Sequence, residues 1–598
     1  MLRLLTGRIA VCLLLAVSAS YAEDGAAIFQ SKCSICHAAG GATQAPLPDA
    51  LRHMSWQAIV TALETGKMKA QGSALSAADR EVVAKYLGTT NTEVIPRSAY
   101  CPASSVATNN GPVWNGWGVD PVNSRFQNAQ AAGVTSDRVS KLKLKWAFGF
   151  PGATTAFATP TVVGGKLFVG SADGTVYSLN AQTGCINWSY QASEGVRTAI
   201  LISSNGQTVY FGDLHANLYA VDAVRGALRW KAHVEDHPYA TITGTPKLEA
   251  GRLYVPVSGG EEEVSAGNPT FVCCKFRGSL VAIDAETGRQ IWKTYTIAEA
   301  AKMTGRTPAG TERWGPSGVS VWSSPTLDLQ HRAIYVVTGV NFTDPPTKTS
   351  DAVLALDMDS GRTLWSQQFI PDDRYNFGCM SEQKGNCPEN PGKDMDFGAP
   401  PILRSLGGGR RLLIAAQKTG VVHALDPDQH GKVVWETRIG HGGPQGGVLW
   451  GAASDDRLAY FSLSDWDPTK PESGGGMFAI EIATGKKVWS TPAPKPACLG
   501  VTGCSAAQPG VPTVIAGVVF AGSLDGHLRA YDTKNGGIVW DIDTLHDFQT
   551  VNGVQARGGS MNGTGPSIAG GILYTNSGYS RIPSIPGNVL LAFSIDGK

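Results

Sequence analysis

The stretch LVAIDAETGRQIW, residues 280–292, decides the fold of this chain. Its alternating apolar residues predict one strand, the segment from Asp284 to Gly288 predicts a tight turn, and the residues up to Trp292 predict a second strand. The stretch YSLNAQTGCINW, residues 177–188, has the same pattern, and a pair of short β-branched strands precedes each copy. Further copies end at five other tryptophans: Trp230, Trp365, Trp435, Trp489 and Trp540. Four strands per repeat, at spacings of about 42 to 73 residues, predict the blades of a β-propeller and not a helical solenoid.

An eighth blade is predicted from the two ends of the repeat region. Residues 566–593 supply three strands without a closing tryptophan, and residues 141–148 supply a strand that contains Trp146. Pairing these two segments completes the last blade and removes an exposed sheet edge. We therefore expect an all-β, eight-bladed β-propeller over residues 111–598.

The motif CSICH, residues 33–37, predicts covalent attachment of a c-type haem. The thiols of Cys33 and Cys36 can add to the two vinyl groups of one haem, and the imidazole of His37 can bind the iron. Met68 lies between two predicted helices, and a thioether there is a usual sixth ligand that raises the haem potential. Met54 is the alternative ligand, and core packing alone is the other role open to either methionine.

The helices around this motif predict a small all-α cytochrome c domain over residues 23–92. Ser76 and Asp79 form a capping-box pattern at the start of its last helix. A linker over residues 93–110 separates this domain from the propeller.

Residues 1–22 read as a secretory signal peptide, with an apolar stretch over residues 9–17 and a cleavage site after Ala22. No later apolar run reaches the length that spans a bilayer. Without Arg3 and Arg8, 48 of the 50 basic side chains remain against 49 acidic ones, a balance that argues against nucleic acid or an anionic membrane as a partner. We expect export to the periplasm and no membrane span.

Cysteine usage agrees with an oxidising compartment. Of 11 cysteines, one lies in the signal peptide and two belong to the haem motif, which leaves eight for disulfides. Cys379 with Cys387, and Cys498 with Cys504, are close enough to close small loops. The sequence alone does not pair the remaining four: Cys101, Cys185, Cys273 and Cys274.

Three long insertions interrupt the repeats, over residues 258–277, 298–321 and 367–397. Loops of this length in a compact fold usually have a function. Because they belong to neighbouring blades, we expect them to surround a mouth over the central axis.

The chain resembles the pyrroloquinoline quinone (PQQ) alcohol dehydrogenases. The glycine and tryptophan that end each repeat resemble the docking motif of that family, and residues 114–126 resemble its entry segment. A haem domain placed before the propeller resembles the cytochrome-type polyvinyl alcohol dehydrogenases most. This resemblance implies PQQ, haem c and Ca²⁺ as cofactors.

Site residues follow from the resemblance position by position. It implies that Glu261 and Asn341 bind calcium, whose preferred ligands are hard oxygens. Trp322 resembles the indole that stacks beneath the quinone. The other groups implied to bind PQQ are Arg197, Thr243, Ser258, Gly259 and Lys418, and Lys418 also stabilises charge that develops on the quinone.

The catalytic base departs from the family pattern. Asn376 occupies the position aligned with the family's aspartate, and an amide cannot accept the proton of a substrate hydroxyl. Asp373 is our first candidate for the base, with Asp372 or a glutamate from residues 261–263 as alternatives. Position 378 is glycine, so the extra carboxylate of lanthanide-dependent relatives is missing in this alignment and calcium is favoured.

These features predict a periplasmic PQQ-dependent alcohol dehydrogenase. It would oxidise secondary alcohol groups, those of polyvinyl alcohol by resemblance, to ketones, and electrons would pass from PQQ through haem c to an external cytochrome c. One alternative is a dehydrogenase of a small alcohol or a sugar. The other is a cofactor-free propeller that serves as a binding platform and carries a haem domain.

Overall fold

The computed structural model describes residues 24–37, 45–52, 54–64, 68–89, 95–102, 111, 113–381, 384–563, 565–581 and 584–598. The predicted signal peptide lies outside these ranges, and so does part of the predicted linker.

Eight four-stranded antiparallel sheets form the propeller. From the inner to the outer strand, blade one consists of Thr161–Val163, Lys166–Gly170, Thr175–Asn180 and Ile186–Gln191, and blade two of Leu201–Ile202, Thr208–Gly212, Asn217–Asp222 and Leu228–His233. Blade three consists of Lys247–Glu249, Arg252–Val257, Ser279–Asp284 and Gln290–Tyr295, and blade four of Thr326–Asp328, Ala333–Val337, Ala352–Asp357 and Thr363–Gln368. In the same order, blade five consists of Ile402–Ser405, Arg411–Ala416, Val421–Asp426 and Lys432–Arg438, and blade six of Ala452–Ser454, Leu458–Ser462, Met477–Glu481 and Lys487–Thr491. Blade seven consists of Thr513–Ile515, Val518–Gly522, His527–Asp532 and Ile538–Asp543, and blade eight of Ser567–Ala569, Ile572–Ser577, Val589–Ile595 and Leu142–Gly149.

The eighth blade closes the ring as the sequence predicts. Leu142–Gly149 pairs antiparallel with Val589–Ile595, so the strand that precedes the first blade is the outer strand of the last one. The indole of Trp540 in blade seven donates to the Leu142 carbonyl at 3.1 Å and thereby joins that blade to this strand.

The repeated glycine and tryptophan hold neighbouring blades together. The Trp230 indole of blade two donates to the Ala285 carbonyl of blade three at 3.2 Å. Gly288, in the same turn, has φ 73°, and a Cβ on it would lie 2.8 Å from the Trp230 ring. A glycine is therefore required both for the left-handed turn and for the close approach of the indole.

One segment contacts all eight blades at the ring axis, and we call residues 113–127 the hub segment. Val113–Trp114 adds a strand to blade one, and Phe126–Gln127 adds a parallel strand to blade seven. Hydrogen bonds join the hub segment to the inner strands of blades two to eight: Asn115 to Ile202, Asp120 to Lys247, Pro121 to Leu327, Val122 to Leu403, Ser124 to Ser454, Arg125 to Val514, and Gln127 to Ile568.

The N-terminal region is a small helical unit with its own apolar core, which includes Ile28, Leu63 and Val83. Ser76 caps its last helix through a 3.1 Å bond from the Asp79 amide. No helix among the described residues is long and apolar enough to cross a membrane. The helices of this unit are Gly25–Ile28, Phe29–Cys33, Ser34–His37, Pro48–Leu51, Trp56–Glu64, Lys69–Gly72 and Ala77–Leu87.

Four disulfides fix loops of the propeller. Cys379–Cys387 and Cys498–Cys504 close the small loops that their spacing predicts. The four cysteines that the sequence left open pair as Cys101 with Cys185 and as the vicinal pair Cys273 with Cys274. The first bond attaches the segment that leaves the helical unit to blade one.

Candidate active site

A cavity opens on one face of the propeller, where loops of several blades meet. The connections between blades contribute Arg197, Thr243, Trp322, Asp394, Asp396 and Trp450. The loops between second and third strands contribute Glu261, Glu263, Lys418, Tyr579 and Arg581.

Trp322 forms the floor of this cavity. It also lines a smaller cavity beneath, which reaches Trp117 of the hub segment, so the indole separates the two. A Cβ on Gly398 would lie 2.0 Å from the Trp322 ring, and a Cβ on Gly339 would lie 2.7 Å from the Asp396 carboxylate. The two glycines thus leave room around the indole that any larger side chain would fill.

A buried lysine and two carboxylates stand beside this floor. The Lys418 ammonium lies 2.8 Å from Asp394 Oδ1 and 2.5 Å from Asp396 Oδ1. Asp396 Oδ2 accepts a 3.1 Å hydrogen bond from the Trp322 indole. Burial alone would lower the pKa of Lys418, but the two carboxylates raise it, so this side chain stays charged.

Burial has the opposite effect on the acids. It raises the pKa of Asp394 to about 8 even though the Lys418 charge lowers it. The pKa of Asp396 is also raised by burial, against the opposing effects of Lys418 and the Trp322 hydrogen bond. A carboxylate made more basic in this way, and fixed by an indole and an ammonium group, is suited to accept a proton.

Two glutamates reach the cavity from one short helix, Gly260–Ser265, which we call the carboxylate helix. Glu263 is half-buried in the same lining, and desolvation followed by the Asp394 charge raises its pKa well above the usual value. Glu261 lies nearer the rim, with its side chain half exposed and 3.8 Å from the Arg581 guanidinium.

Arg197 supplies positive charge to the opposite wall. Its guanidinium lies 4.3 Å from the ring centre of Trp450, whose plane is perpendicular to that of Trp322. No carboxylate among the described residues forms an ion pair with Arg197, and burial lowers its pKa. A half-buried cation without a carboxylate partner fits an anionic group of a ligand.

The hydroxyls predicted to bind the quinone also reach the cavity. Thr243 bonds to Ser258 at 2.9 Å and donates to the Trp322 carbonyl at 3.2 Å. Gly259 lies at the start of the carboxylate helix, where a Cβ would be 2.4 Å from the Phe276 ring.

Asn341, predicted to bind calcium, lies outside the cavity lining. Its side-chain oxygen accepts bonds from the Thr347 amide at 2.9 Å and the Thr347 hydroxyl at 3.1 Å. Its amide group donates to the Ser317 carbonyl at 3.3 Å. In this arrangement Asn341 fixes its own loop.

The two residues considered for the base also lie outside the lining. Asp373 is buried, and its two oxygens accept the amides of Lys393 and Met395, each at 2.9 Å. Asn376 donates to the carbonyls of Phe342 and Asn386 and caps a short turn. Asp373 therefore holds the loop that places Asp394 and Asp396 in the cavity. The sequence analysis did not identify these two acids. The available signal was the Asp-x-Asp pair at the end of the longest insertion, just before the inner strand Ile402–Ser405.

The haem motif occupies one helical turn of the N-terminal unit. His37 is buried, and its Nδ1 lies 2.7 Å from the Pro46 carbonyl, which orients the ring and leaves Nε2 for the iron. Burial lowers the pKa of His37 and so favours the neutral, metal-binding imidazole. Met54 and Met68 both pack against the apolar core of this unit.

The helical unit meets the propeller on the face that carries the cavity. Gly152, between blades eight and one, lies against Ala58 of a haem-domain helix, and Gly553 lies against Pro96. The loop over residues 578–588 contributes Tyr579 to the cavity beside Trp322 and Gly587 to a second cavity next to Thr89.

Comparison with known proteins gives two family matches. Residues 136–367 and 408–585 match the family model described as outer membrane protein assembly factor BamB, and residues 21–87 match that described as cytochrome c oxidase, cbb3-type, subunit III. The crystal structure of quinohemoprotein alcohol dehydrogenase from Comamonas testosteroni has a TM-score of 0.58 and 20% identity, with 82% of each chain covered, and supports the fold.

Two curated relatives are similar over nearly the whole chain. Polyvinylalcohol dehydrogenase of a Pseudomonas species is 38% identical over 622 residues, 97% of this chain and 96% of the relative. Polyvinylalcohol dehydrogenase of Sphingopyxis sp. strain 113P3 is 37% identical over 616 residues, 96% of this chain and 93% of the relative. An eight-bladed propeller, a cytochrome c domain and identity at this level lead to one conclusion: the chain belongs to the polyvinyl alcohol dehydrogenase family of PQQ-dependent alcohol dehydrogenases.

Proposed function

We propose that this protein oxidises secondary alcohol groups of polyvinyl alcohol to ketones in the periplasm and passes the electrons through its haem to an external cytochrome c. The observation that carries the proposal is the buried group of Asp394, Asp396 and Lys418 on an indole floor. The polymer substrate rests on the names of the two relatives.

The cavity fits a flat, anionic quinone. Trp322 offers a planar surface, and Gly339 and Gly398 keep space beside it. Arg197 is a half-buried cation without a carboxylate partner among the described residues. PQQ would lie on this floor, with Thr243 and Ser258 within the same lining. When bound, the quinone accepts a hydride from the substrate carbon, and a divalent cation polarises its carbonyl.

Asp396 is the group best placed to accept the proton of the substrate hydroxyl. Its Oδ2 is held by the Trp322 indole and its Oδ1 faces Lys418, so the carboxylate is oriented before any substrate enters. Lys418 keeps its charge and stabilises negative charge that develops beside it. Trp450 and Arg197 pack against each other in the same lining.

The same acids favour a divalent cation. Asp394 and Asp396 pair with the Lys418 ammonium, and Glu263 lines the same cavity. Acids in excess of their cations are costly in such a site unless a metal or protons neutralise them. Oxygen ligands of this type suit calcium. Among the described residues no three such groups are arranged to hold a metal by themselves, so quinone oxygens would have to complete the coordination.

Export and electron transfer agree with the rest of the molecule. Cys101–Cys185, Cys379–Cys387 and Cys498–Cys504 are bonds of an oxidising compartment. The haem domain touches the face that carries the cavity, which supports transfer within one chain before an external cytochrome c accepts the electrons. A platform that only binds proteins has no need for a buried lysine flanked by acids or for a haem.

An optical experiment tests the proposal. The exported protein is loaded with PQQ and Ca²⁺ without oxygen, and the haem bands are followed after addition of polyvinyl alcohol, a small secondary alcohol or a sugar. We expect haem reduction that requires PQQ, Ca²⁺ and alcohol together and is fastest with the polymer. Faster reduction by the small alcohol or the sugar would show that this compound, and not the polymer, is the preferred substrate. A haem that stays oxidised with every alcohol would contradict the proposed dehydrogenase activity.

A further inference from the structure

Glu262 differs from the two glutamates beside it in the direction of its side chain. It is buried, with 2% of its surface exposed, and it does not line the cavity. Its Oε1 accepts the Lys275 amide and its Oε2 accepts the Phe276 amide, each at 2.8 Å. The His237 Nε2 lies 3.4 Å from the same carboxylate. One buried charge is thus fixed by two backbone donors, which are strong, directional partners.

The backbone amides that donate to Glu262 are themselves held in place. Lys275 and Phe276 follow directly on the vicinal disulfide Cys273–Cys274, whose residues are fully buried. The Trp314 amide donates to the Cys273 carbonyl at 2.7 Å, and the Cys274 amide donates to the Trp314 carbonyl at 3.3 Å. The vicinal pair therefore lies behind the carboxylate helix, outside the cavity lining, and ties the first insertion to the second.

The carboxylate helix depends on such outside support. It has six residues, and its preceding residue, Gly259, makes no side-chain cap. A helix this short is not stable on its own in water, so tertiary contacts decide how its side chains point. Glu261 and Glu263 can therefore keep their positions in the cavity only if contacts on the opposite face of this helix fix it.

We propose that Glu262 is a positioning residue: by binding the Lys275 and Phe276 amides, it holds Glu263 beside Lys418 and so sets the affinity of the site for the divalent cation and the quinone. This inference rests on the proposed function, because it assumes that the cavity binds these two groups. Glu262 touches neither of them.

The test compares Glu262→Gln with Glu262→Asp and with Glu299→Gln. An amide at position 262 loses the charge and one of the two acceptors, aspartate is too short to reach both amides, and Glu299 is an exposed glutamate of the neighbouring insertion. PQQ binding is followed by quenching of tryptophan fluorescence at a series of Ca²⁺ concentrations, and the near-ultraviolet circular dichroism reports the folded fraction. Because a dissociation constant refers to folded molecules, partial unfolding lowers the amplitude and leaves the constant unchanged.

We expect Glu262→Gln to weaken Ca²⁺-dependent PQQ binding by about 10-fold or more and Glu262→Asp to weaken it as well, while Glu299→Gln binds like the unchanged protein. The haem spectrum should be the same in all variants. Equal dissociation constants in Glu262→Gln and the unchanged protein would overturn the positioning role. Failure of the unchanged protein to bind PQQ would instead contradict the proposed function.

Discussion

At the scale of single residues, Asp373 and Asp396 show how identical side chains acquire different roles. Both oxygens of Asp373 accept backbone amides from the end of the same insertion, and the carboxylate lies outside the cavity lining. Asp396 is held by one indole hydrogen bond and faces an ammonium group inside the cavity. Only Asp396 lines the cavity, so only its remaining lone pairs can reach a substrate hydroxyl.

Asp396→Asn tests the proposed base. The amide preserves size and can still accept the Trp322 hydrogen bond but cannot take a proton, so we expect the rate of haem reduction by alcohol to fall by about 10²- to 10⁴-fold. Asp372→Asn is the matched control, because Asp372 is exposed and lies outside the cavity lining, and its rate should be unchanged. An active Asp396→Asn together with an inactive Asp372→Asn would show that the base is in the earlier loop.

The sixth haem ligand gives a second prediction at this scale. Replacing Met68 by leucine removes the thioether, so the oxidised protein should lose its near-infrared methionine–iron band and its haem potential should fall. Met54→Leu serves as the control, since Met54 packs against the same core. If Met54→Leu loses the band and Met68→Leu keeps it, the sixth ligand is Met54 and not Met68.

Cavity residues close to blade strands could be predicted, whereas the two acids at the end of the longest insertion could not. Lys418 lies two residues after strand Arg411–Ala416, and Trp322 lies four residues before strand Thr326–Asp328, so the repeat fixes their height in the ring. Asp394 and Asp396 end an insertion whose path is set by the Cys379–Cys387 bond and by Asp373. No repeat pattern specifies that path, so the sequence alone did not identify Asp394 and Asp396 as the acids that line the cavity.

At the scale of elements, the turn of one blade and the tryptophan of the preceding blade form the unit of blade packing. Gly485 has φ 74°, and a Cβ on it would lie 2.6 Å from the Trp435 ring. The same indole donates to the Ile482 carbonyl at 3.0 Å. This unit could be predicted from the sequence as a repeat, because both of its residues recur, but the partner blade was visible only in the structure.

Gly485→Ala tests this packing. The substitution forces a non-glycine residue into the left-handed region and pushes a methyl group into the indole, so we expect the free energy of unfolding to fall by about 2–4 kcal/mol. Gly407→Ala is the matched control, since Gly407 is exposed and has no atom within 4 Å of its Cβ position. Both are compared by thermal unfolding with the haem spectrum as a check on the N-terminal unit. Equal loss of stability in the two variants would contradict the packing role of the turn glycine.

At the scale of the whole molecule, two different devices close the ring. The paired strands of blade eight join the ends of the repeat region at the outer edge, and this closure could be predicted by counting tryptophans. The hub segment joins the inner strands at the axis, and its contacts with all eight blades follow no repeat. Blades that share one central segment are expected to unfold together, because the loss of one inner contact changes the position of the next.

Arg125 is the residue through which this coupling can be tested. Its fully buried guanidinium donates to the carbonyls of Pro512, Pro566 and Trp117 and to the Thr513 hydroxyl, and burial lowers its pKa to about 9. Arg125→Met removes the donor of the Pro512 and Trp117 carbonyls at about 1–3 kcal/mol each, offset in part by removal of a buried charge. The Pro566 carbonyl keeps its bond from the Thr513 hydroxyl. Calorimetry should show one cooperative propeller transition at a lower temperature.

Arg138→Met, at an exposed position just beyond the hub segment, should leave the transition within about 0.5 kcal/mol of the unchanged protein. If Arg125→Met instead splits the transition, so that blades seven and eight melt before the others, the hub segment stabilises those two blades without coupling the ring. An unchanged transition in Arg125→Met would mean that the outer strand pairing of blade eight alone holds the propeller closed. A single, lowered transition assigns the closure to both devices, because neither the outer edge nor the axis would then be sufficient to maintain the ring around the candidate site.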